Sequence, residues 1–404
     1  MKNKNRPILI VIGNNKNGGI AKHASMLANG FSTEGRDVTI IVTKDDAEQG
    51  SFFSLNENVN ILGVNQVSKN TTRYVMAKML ASIEIKVLKL VNALLPTGSN
   101  RQKKVSYSVP MIRKTLDLKQ CLEGYTNPII ITLGLEYAIN VYYATRFQKC
   151  DIMYATKTYA EGEVINLDLD IVCYVLDKLA CVVCQTEYTA EYFRRLGAQR
   201  TQVIGNPLEM KLDPYVGDRN KSIVNFCRIS KEKRLDLLIK AFAKFHKKYA
   251  DYHIDIYGNI VREAEDAHRV ELLNLIHGLG IQDYVKIYPA RKDIHEVVKN
   301  AAMFVSTSEF EGLSNSMIEA MALGMPCICT DCDGGGAREQ IKNGFNGLLI
   351  PKNDEEALIE AMLKFAENQE FAKKCGKNAV AIREKLEISK ITEQWLDAID
   401  KYCK

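Results

Sequence analysis

Short runs of consecutive apolar residues alternate along this chain with stretches in which apolar positions recur every three or four residues. The runs have the length of buried strands, and the intervening periodicity is that of helices packed on one face. In the first half the predicted strands are PILIVIG (7–13), VTIIVT (38–43), PIIITL (128–133), CDIMYAT (150–156) and CVVCQT (181–186), with helices beginning at Ala21 and at Glu187. In the second half they are SIVNFC (222–227), YHIDIYG (252–258), YVKIY (284–288), AMFVST (302–307), PCICT (326–330) and GLLIP (347–351). Strand and helix in alternation build doubly wound α/β domains.

A chain of 404 residues exceeds one ordinary core and predicts two domains of roughly 200 residues each. The polar stretch 206–221, containing Pro207 and Pro214, is the predicted linker, giving domains 1–206 and 207–386. Two such domains leave a cleft at the C-terminal edges of their strands, where open parallel sheets bind ligands.

The N-terminus, MKNKNRPILIVIG, has the basic start and apolar run of a signal peptide. The run is only about seven residues, rich in Ile and Val, and lacks a small-residue cleavage site, so it reads as a first strand. No stretch offers about 18 uninterrupted apolar residues. A composition of 46% hydrophobic and 25% charged residues is that of a soluble globular protein, and the predicted location is cytoplasmic. Most of the eleven cysteines lie in apolar runs, as reduced thiols do. Cys181 and Cys184 have CxxC spacing but no second pair or His cluster near them, so a metal role is not expected.

The net charge of +5 is uneven: residues 1–206 carry 25 Lys+Arg against 18 Asp+Glu, the rest 29 against 31. The basic excess concentrates between Lys78 and Lys119, with Lys86, Lys89, Arg101, Lys103, Lys104, Arg113 and Lys114. Within it, MLASIEIKVLKLVNALL (79–95) is apolar with interspersed lysines. Such a segment can lie on an anionic membrane surface, or can face the core and solvate its lysines. A nucleic-acid partner is not expected at this modest charge without interleaved aromatics.

The densest candidate chemistry is in SEFEGLSNSMIEAMALGMP, where Glu311 and Glu319 stand eight residues apart. AMFVST reads as a strand, Ser314 and Asn315 as N-cap residues, and Ser316 to Leu323 as a helix closed by Gly-Met-Pro. Strand, loop and helix in that order aim amide N–H groups and a helix N-terminus at the loop, a setting for an anion. Two glutamates at this spacing also occur by chance in many helices, so the neighbourhood decides.

That neighbourhood, continued by CICTDCDGGGAREQIKNGFNGLLIPKND, resembles the donor-binding half of the retaining nucleotide-sugar glycosyltransferases of family four, and the likeness extends with gaps over most of the chain. The resemblance implies the GT-B fold: two Rossmann-like doubly wound domains facing a central cleft. It implies that the last helix, in EISKITEQWLDAIDKYC (387–403), crosses back onto the first domain, with Trp395 anchoring it. It also implies a donor site of Arg228 and Lys233 against the diphosphate, Glu311 near the donor sugar, and Glu319 on the ribose hydroxyls. Gly312, Leu313, Ser314 and Asn315 would offer backbone N–H groups, and Gly335, Glu339 and Gly258 would line the nucleotide. Gly18 and Gly19 match the family's first-domain loop, opposite the donor.

Asp331 and Asp333 have the spacing of an Asp-x-Asp metal motif, but they align with a loop that binds no metal in this family; neither metal nor cofactor is expected. Many relatives carry a His in the middle of the first domain, whereas this chain has none between His23 and His246. Thr132, Glu136, Thr156, Lys157 and Glu161 are the polar candidates there. His23, inside the first helix, suits a structural or acceptor-side role better than that of a base.

The resemblance thus implies retaining transfer of a hexose or amino-hexose from an NDP-sugar, UDP-linked by expectation, to a glycan or lipid-linked acceptor in bacterial polysaccharide or cell-wall synthesis. The alternatives are a catalytically silent subunit of the same fold, which the missing His favours, and a nucleotide-sugar epimerase, which no feature requires.

Overall fold

The computed structural model describes residues 3–14, 18–44, 53–64, 72–97, 102, 108–112, 114–259 and 263–404; of the basic cluster, Arg101, Lys103, Lys104 and Arg113 lie outside the described residues. The chain divides into two units, residues 1–207 with 388–404, and residues 208–387.

Among its described residues the first unit has seven strands: β1 (Ile8–Ile12), β2 (Val38–Val42), β3 (Val59–Gly63), β4 (Ile129–Leu133), β5 (Asp151–Ala155), β6 (Cys181–Cys184) and β7 (Thr201–Val203). Their order is β3-β2-β1-β4-β5-β6-β7, and every pairing is parallel. All five residues of β1 are fully buried, as a central strand covered by helices on both faces requires. Five of these strands are the apolar runs named above. The other two were hidden from the hydrophobic pattern because they are edges: Asn60 of β3 is exposed, and β7 is three half-buried residues long.

The helix Gly19–Thr33 packs against the last helix, Ile388–Tyr402, where Phe31 and Trp395 meet edge to face at 6.4 Å between centroids. The amide of Asn3 donates to the carbonyls of Ile399 and Cys403 at 3.3 and 3.4 Å. Both ends of the chain therefore belong to one unit. Cys181 and Cys184 are fully buried in β6 and burial raises both thiol pKa values, Cys181 to about 12; the CxxC is core, and all eleven cysteines are free.

The second unit has six parallel strands, β8 (Ser222–Phe226), β9 (His253–Tyr257), β10 (Val285–Tyr288), β11 (Met303–Ser306), β12 (Cys327–Asp331) and β13 (Leu348–Pro351), in the order β10-β9-β8-β11-β12-β13. The helices Leu235–His246 and Glu355–Glu367 pack together, burying Leu238, Phe242, Leu358 and Met362 completely in the core over this sheet. The predicted linker is strapped down from Leu208 onward. The Leu208 N–H donates to Leu386 O (2.7 Å), the Tyr215 N–H donates to Leu323 O (3.1 Å), and Arg219 donates to the carbonyls of Lys299 and Ala301, both at 3.0 Å. Among the described residues no helix is long and apolar enough to cross a membrane.

Candidate active site

In the second unit the strand order reverses between β8 and β11. Beyond the C-terminal ends of strands at such a reversal, loops diverge and leave a crevice. The loop after β8 carries Arg228 and Lys233, and the loop after β11 carries Glu311.

The first loop makes a 3-10 turn, Lys231–Lys233, and then Arg234 takes a left-handed backbone at φ +47° before the helix begins at Leu235. A non-glycine residue holds that conformation only where its surroundings insist on it. Here the Thr307 hydroxyl bonds the carbonyls of Lys233 and Arg234 at 3.0 and 2.9 Å, and the Glu309 N–H donates to Glu232 O at 2.8 Å. The turn is thereby tied to the end of β11, and Lys233 reaches the Glu311 carboxylate in a direct ion pair. Burial pulls the Lys233 ammonium pKa down, Glu311 pushes it up, and the net value is raised, so Lys233 is a fixed cation at neutral pH.

Arg228, about half exposed, pairs with Glu232 at 2.9 Å and with Glu265 at 3.4 Å. Two cations ahead of a helix N-terminus oppose its dipole and call for compensating anions. Here those anions are the chain's own carboxylates, Glu232, Glu265 and Glu311.

The loop after β11 lies against the loop after β12. The Glu311 N–H donates to Asp333 O at 3.0 Å, so that amide is committed to the protein itself. Gly334 has φ +100°, and a Cβ there would stand 2.1 Å from Glu311 O; on Gly336 it would stand 1.7 Å from Gly312 O. The triple glycine is thus a contact between two backbones that no side chain can enter. Gly335 is the left-handed N-cap of the short helix Gly336–Gln340, which carries Glu339. Gly258 likewise presses on Cys227 O, where a Cβ would stand at 2.2 Å.

Gly312, Leu313 and Ser314 are buried; Ser314 caps the helix Asn315–Ala322 by accepting from the Met317 N–H at 3.4 Å. Glu319 projects from that helix, and its Oε2 lies 3.1 Å from His295 Nε2. Sequence reasoning missed His295: it sits on a five-residue helix, Ile294–Val298, with no motif around it. The two motif glutamates therefore part company, Glu311 to a lysine and Glu319 to a histidine. Asp331 pairs with Arg338 and Asp333 with Lys352, so both carboxylates of the Asp-x-Asp already have cationic partners.

In the first unit Gly18 precedes the helix Gly19–Thr33, its backbone extended at φ 174°, and a Cβ there would meet no atom within 4 Å. One turn on, His23 is buried with Lys157 Nζ at 3.0 Å from its Nε2. Lys157 follows β5. Burial lowers its pKa to about 7 against the opposing pull of Glu163, and burial together with the Lys157 charge holds His23 well below its usual range. Glu163, absent from the sequence candidates, accepts from the N–H groups of Leu135 (3.2 Å), Lys157 (2.8 Å) and Thr158 (3.2 Å). Of the other candidates, Thr132 and Thr156 are fully buried, Glu136 pairs with exposed Lys114 at 3.2 Å, and Glu161 accepts from the Tyr188 hydroxyl at 3.0 Å. Lys157 alone among them meets His23.

Residues 216–381 match the family described as Glycosyl transferases group 1, and they enclose every site residue placed on the second unit. An uncharacterized glycosyltransferase of Haemophilus influenzae is 25% identical over 385 residues, covering 94% of this chain and 95% of that protein. The N-acetylgalactosamine-N,N'-diacetylbacillosaminyl-diphospho-undecaprenol 4-alpha-N-acetylgalactosaminyltransferase of Campylobacter jejuni is 29% identical over 167 residues, 41% of this chain and 43% of that one. Seven relatives beyond the Haemophilus protein are matched over only 23% to 53% of their length. Among solved structures, Anabaena HepE in complex with UDP superposes with a TM-score of 0.72 at 18% identity, covering 98% of this chain and 100% of that one. The two parallel-sheet Rossmann-like units are those of the GT-B fold.

Proposed function

We propose that this glycosyltransferase moves a hexose or amino-hexose from a UDP-sugar to a glycan or lipid-linked acceptor, with retention at the anomeric carbon, in bacterial surface-polysaccharide synthesis. The observation that carries the reading is the pair of cations, Arg228 and Lys233, fixed at the strand-order reversal of the second unit and paired there with carboxylates. Further support comes from the Campylobacter relative, whose name gives it a lipid-linked acceptor, and from HepE, which was solved with UDP.

In this reading the diphosphate displaces Glu232 and Glu311 from the two cations. The bond between the sugar C1 and the diphosphate oxygen breaks, and negative charge grows on the phosphate. Arg228 and Lys233, charged throughout, stabilise it without reorganisation. The acceptor hydroxyl oxygen bonds to C1 on the face the phosphate leaves, and its proton passes to the departing phosphate oxygen. Glu311, released from Lys233, turns to the donor sugar, and Glu319, beside His295, accepts from the ribose hydroxyls. Gly312, Leu313, Ser314, Asn315, Gly335 and Glu339 shape the wall around the diphosphate, and Gly258 keeps the neighbouring strand ends close. Gly18 and Gly19 belong to the acceptor-side unit.

In this reading the two cations do the work a divalent ion would do, and transfer should proceed unchanged in a chelator. A lipid-linked acceptor brings the enzyme to the inner face of the cell membrane from the cytoplasm. Calorimetric titration of UDP, GDP and ADP tests the reading. UDP should bind in the micromolar range and the other two more weakly. Absence of binding by all three sinks the donor site, and a preference for GDP or ADP corrects the donor.

A further inference from the structure

The helix Thr72–Leu94 of the first unit buries only a narrow face. Ala81 and Ile85 are covered, with Ile112 beneath them and Leu88, Val109 and Leu116 alongside. On the other side Met76, Leu80, Ile83, Val87, Leu90 and Leu94 are 58%, 60%, 57%, 54%, 65% and 78% exposed. They recur at alternating steps of four and three residues, which sets them in one line along the helix. At 1.5 Å per residue that line is about 27 Å long. A lone exposed leucine calls for no explanation, but an apolar stripe of this length on water marks a surface that something covers.

The charges beside the stripe say what. Lys86 and Lys89 flank it and are exposed, as is Lys78. Glu84, the one acid on the helix, is drawn in by Arg146, whose Nε donates to its Oε1 at 2.8 Å. From Ile85 to Leu116 the chain carries seven lysines and arginines and no acid. The spacing would also suit the seam of a coiled coil with a second copy. Such seams are rimmed by charges of both signs that pair across the partners. This rim offers lysines alone, since its one acid is already held within the chain.

We propose that the helix Thr72–Leu94 lies in the headgroup layer of an anionic phospholipid bilayer, the six stripe residues entering the acyl boundary and the lysines reaching back to lipid phosphates. This deepens the reading of a lipid-linked acceptor, but it does not depend on that reading for its test, because plain vesicles contain no acceptor.

The full chain is sedimented with vesicles of phosphatidylcholine containing phosphatidylglycerol, and with vesicles of phosphatidylcholine alone. It should pellet with the first and stay in solution with the second. Lys86→Ala with Lys89→Ala should weaken partitioning by roughly 30-fold, about fivefold for each cation removed. Ile83→Ser, Val87→Ser and Leu90→Ser combined should abolish it; because these side chains face water, thermal unfolding should be unchanged. The proposal is overturned if the wild type stays in solution with anionic vesicles, or if the triple-serine variant pellets like the wild type. It is equally overturned if the wild type is a dimer that the serine variant turns into a monomer without any vesicle binding. Vesicle binding without nucleotide binding leaves this surface standing and removes the donor site instead, so the two failures are distinct.

Discussion

Lys233 and Glu311, separated by 78 residues of chain, neutralise each other at the strand-order reversal of the second unit. The pair makes the two partners' substitutions unequal. Lys233→Ala removes a phosphate-facing cation and strands a carboxylate there, so UDP affinity should fall at least tenfold, about 1.4 kcal/mol. Glu311→Gln frees the cation, so UDP should bind as tightly as before or more tightly, while turnover falls by about a hundredfold or more. Calorimetry and steady-state kinetics on both variants decide it; weaker UDP binding by Glu311→Gln would contradict the displacement.

The interlocked loops at Gly334 and Gly336 should tolerate no side chain. Gly336→Ala puts a methyl group 1.7 Å from Gly312 O, and the backbones must part. Thermal and denaturant unfolding should show a loss of at least about 2 kcal/mol, with nucleotide binding lost alongside. Gly18→Ala, with open space around it, serves as the control and should leave stability unchanged.

How much of this was legible beforehand divides by range. The interior strands showed themselves because a strand buried on both faces is apolar at every position, as Ile8–Ile12 is, whereas the edge strands β3 and β7 carry polar, part-exposed residues and did not. The N-cap at Ser314 showed itself because capping is a matter of a few adjacent residues. What no local pattern could carry was partnership. Arg228 and Lys233 read as waiting for a phosphate, yet they hold Glu232, Glu265 and Glu311. His295 meets Glu319 only because the helices before and after β11 converge, and Glu163 gathers three amides from two separate loops. The segment 79–95, most of which lies in the helix Thr72–Leu94, reads as either core-facing or membrane-facing, since its periodicity is the same in both cases.

Acidity should act on the first unit through His23 and Lys157. An unfolded lysine titrates near 10.4, whereas folded Lys157 gives up its proton near about 7. Between those values the unfolded chain holds a proton that the folded chain lacks, so stability rises with pH. Its slope there approaches about 1.4 kcal/mol per pH unit. His23, kept neutral by burial, adds the same sign lower down, with stability falling as pH drops below about 6.5. Melting temperatures of the wild type should therefore climb from pH 6 to pH 9, and Lys157→Met should flatten the climb. Parallel curves for the two proteins would mean that Lys157 titrates normally.

Trp395 is 1% exposed and is the largest side chain in the core. Trp395→Ala should cost about 3–5 kcal/mol and should do so in the first unit alone. If the units melt separately in a calorimeter, the earlier transition should move and the other should stay.

The first unit is assembled from two stretches that flank the second in sequence, and this gives its biosynthesis a direction. Residues 1–207 leave the ribosome first but lack the helix Ile388–Tyr402 that covers Phe31. The intervening stretch of about 180 residues takes about 10–40 s to make at ordinary translation rates. The second unit, continuous in sequence, can close as it emerges. For that interval the earlier-made half waits with an apolar surface uncovered, open to chaperones and proteases. A premature stop anywhere before Ile388 therefore leaves the first-made half unfinished along with everything after it.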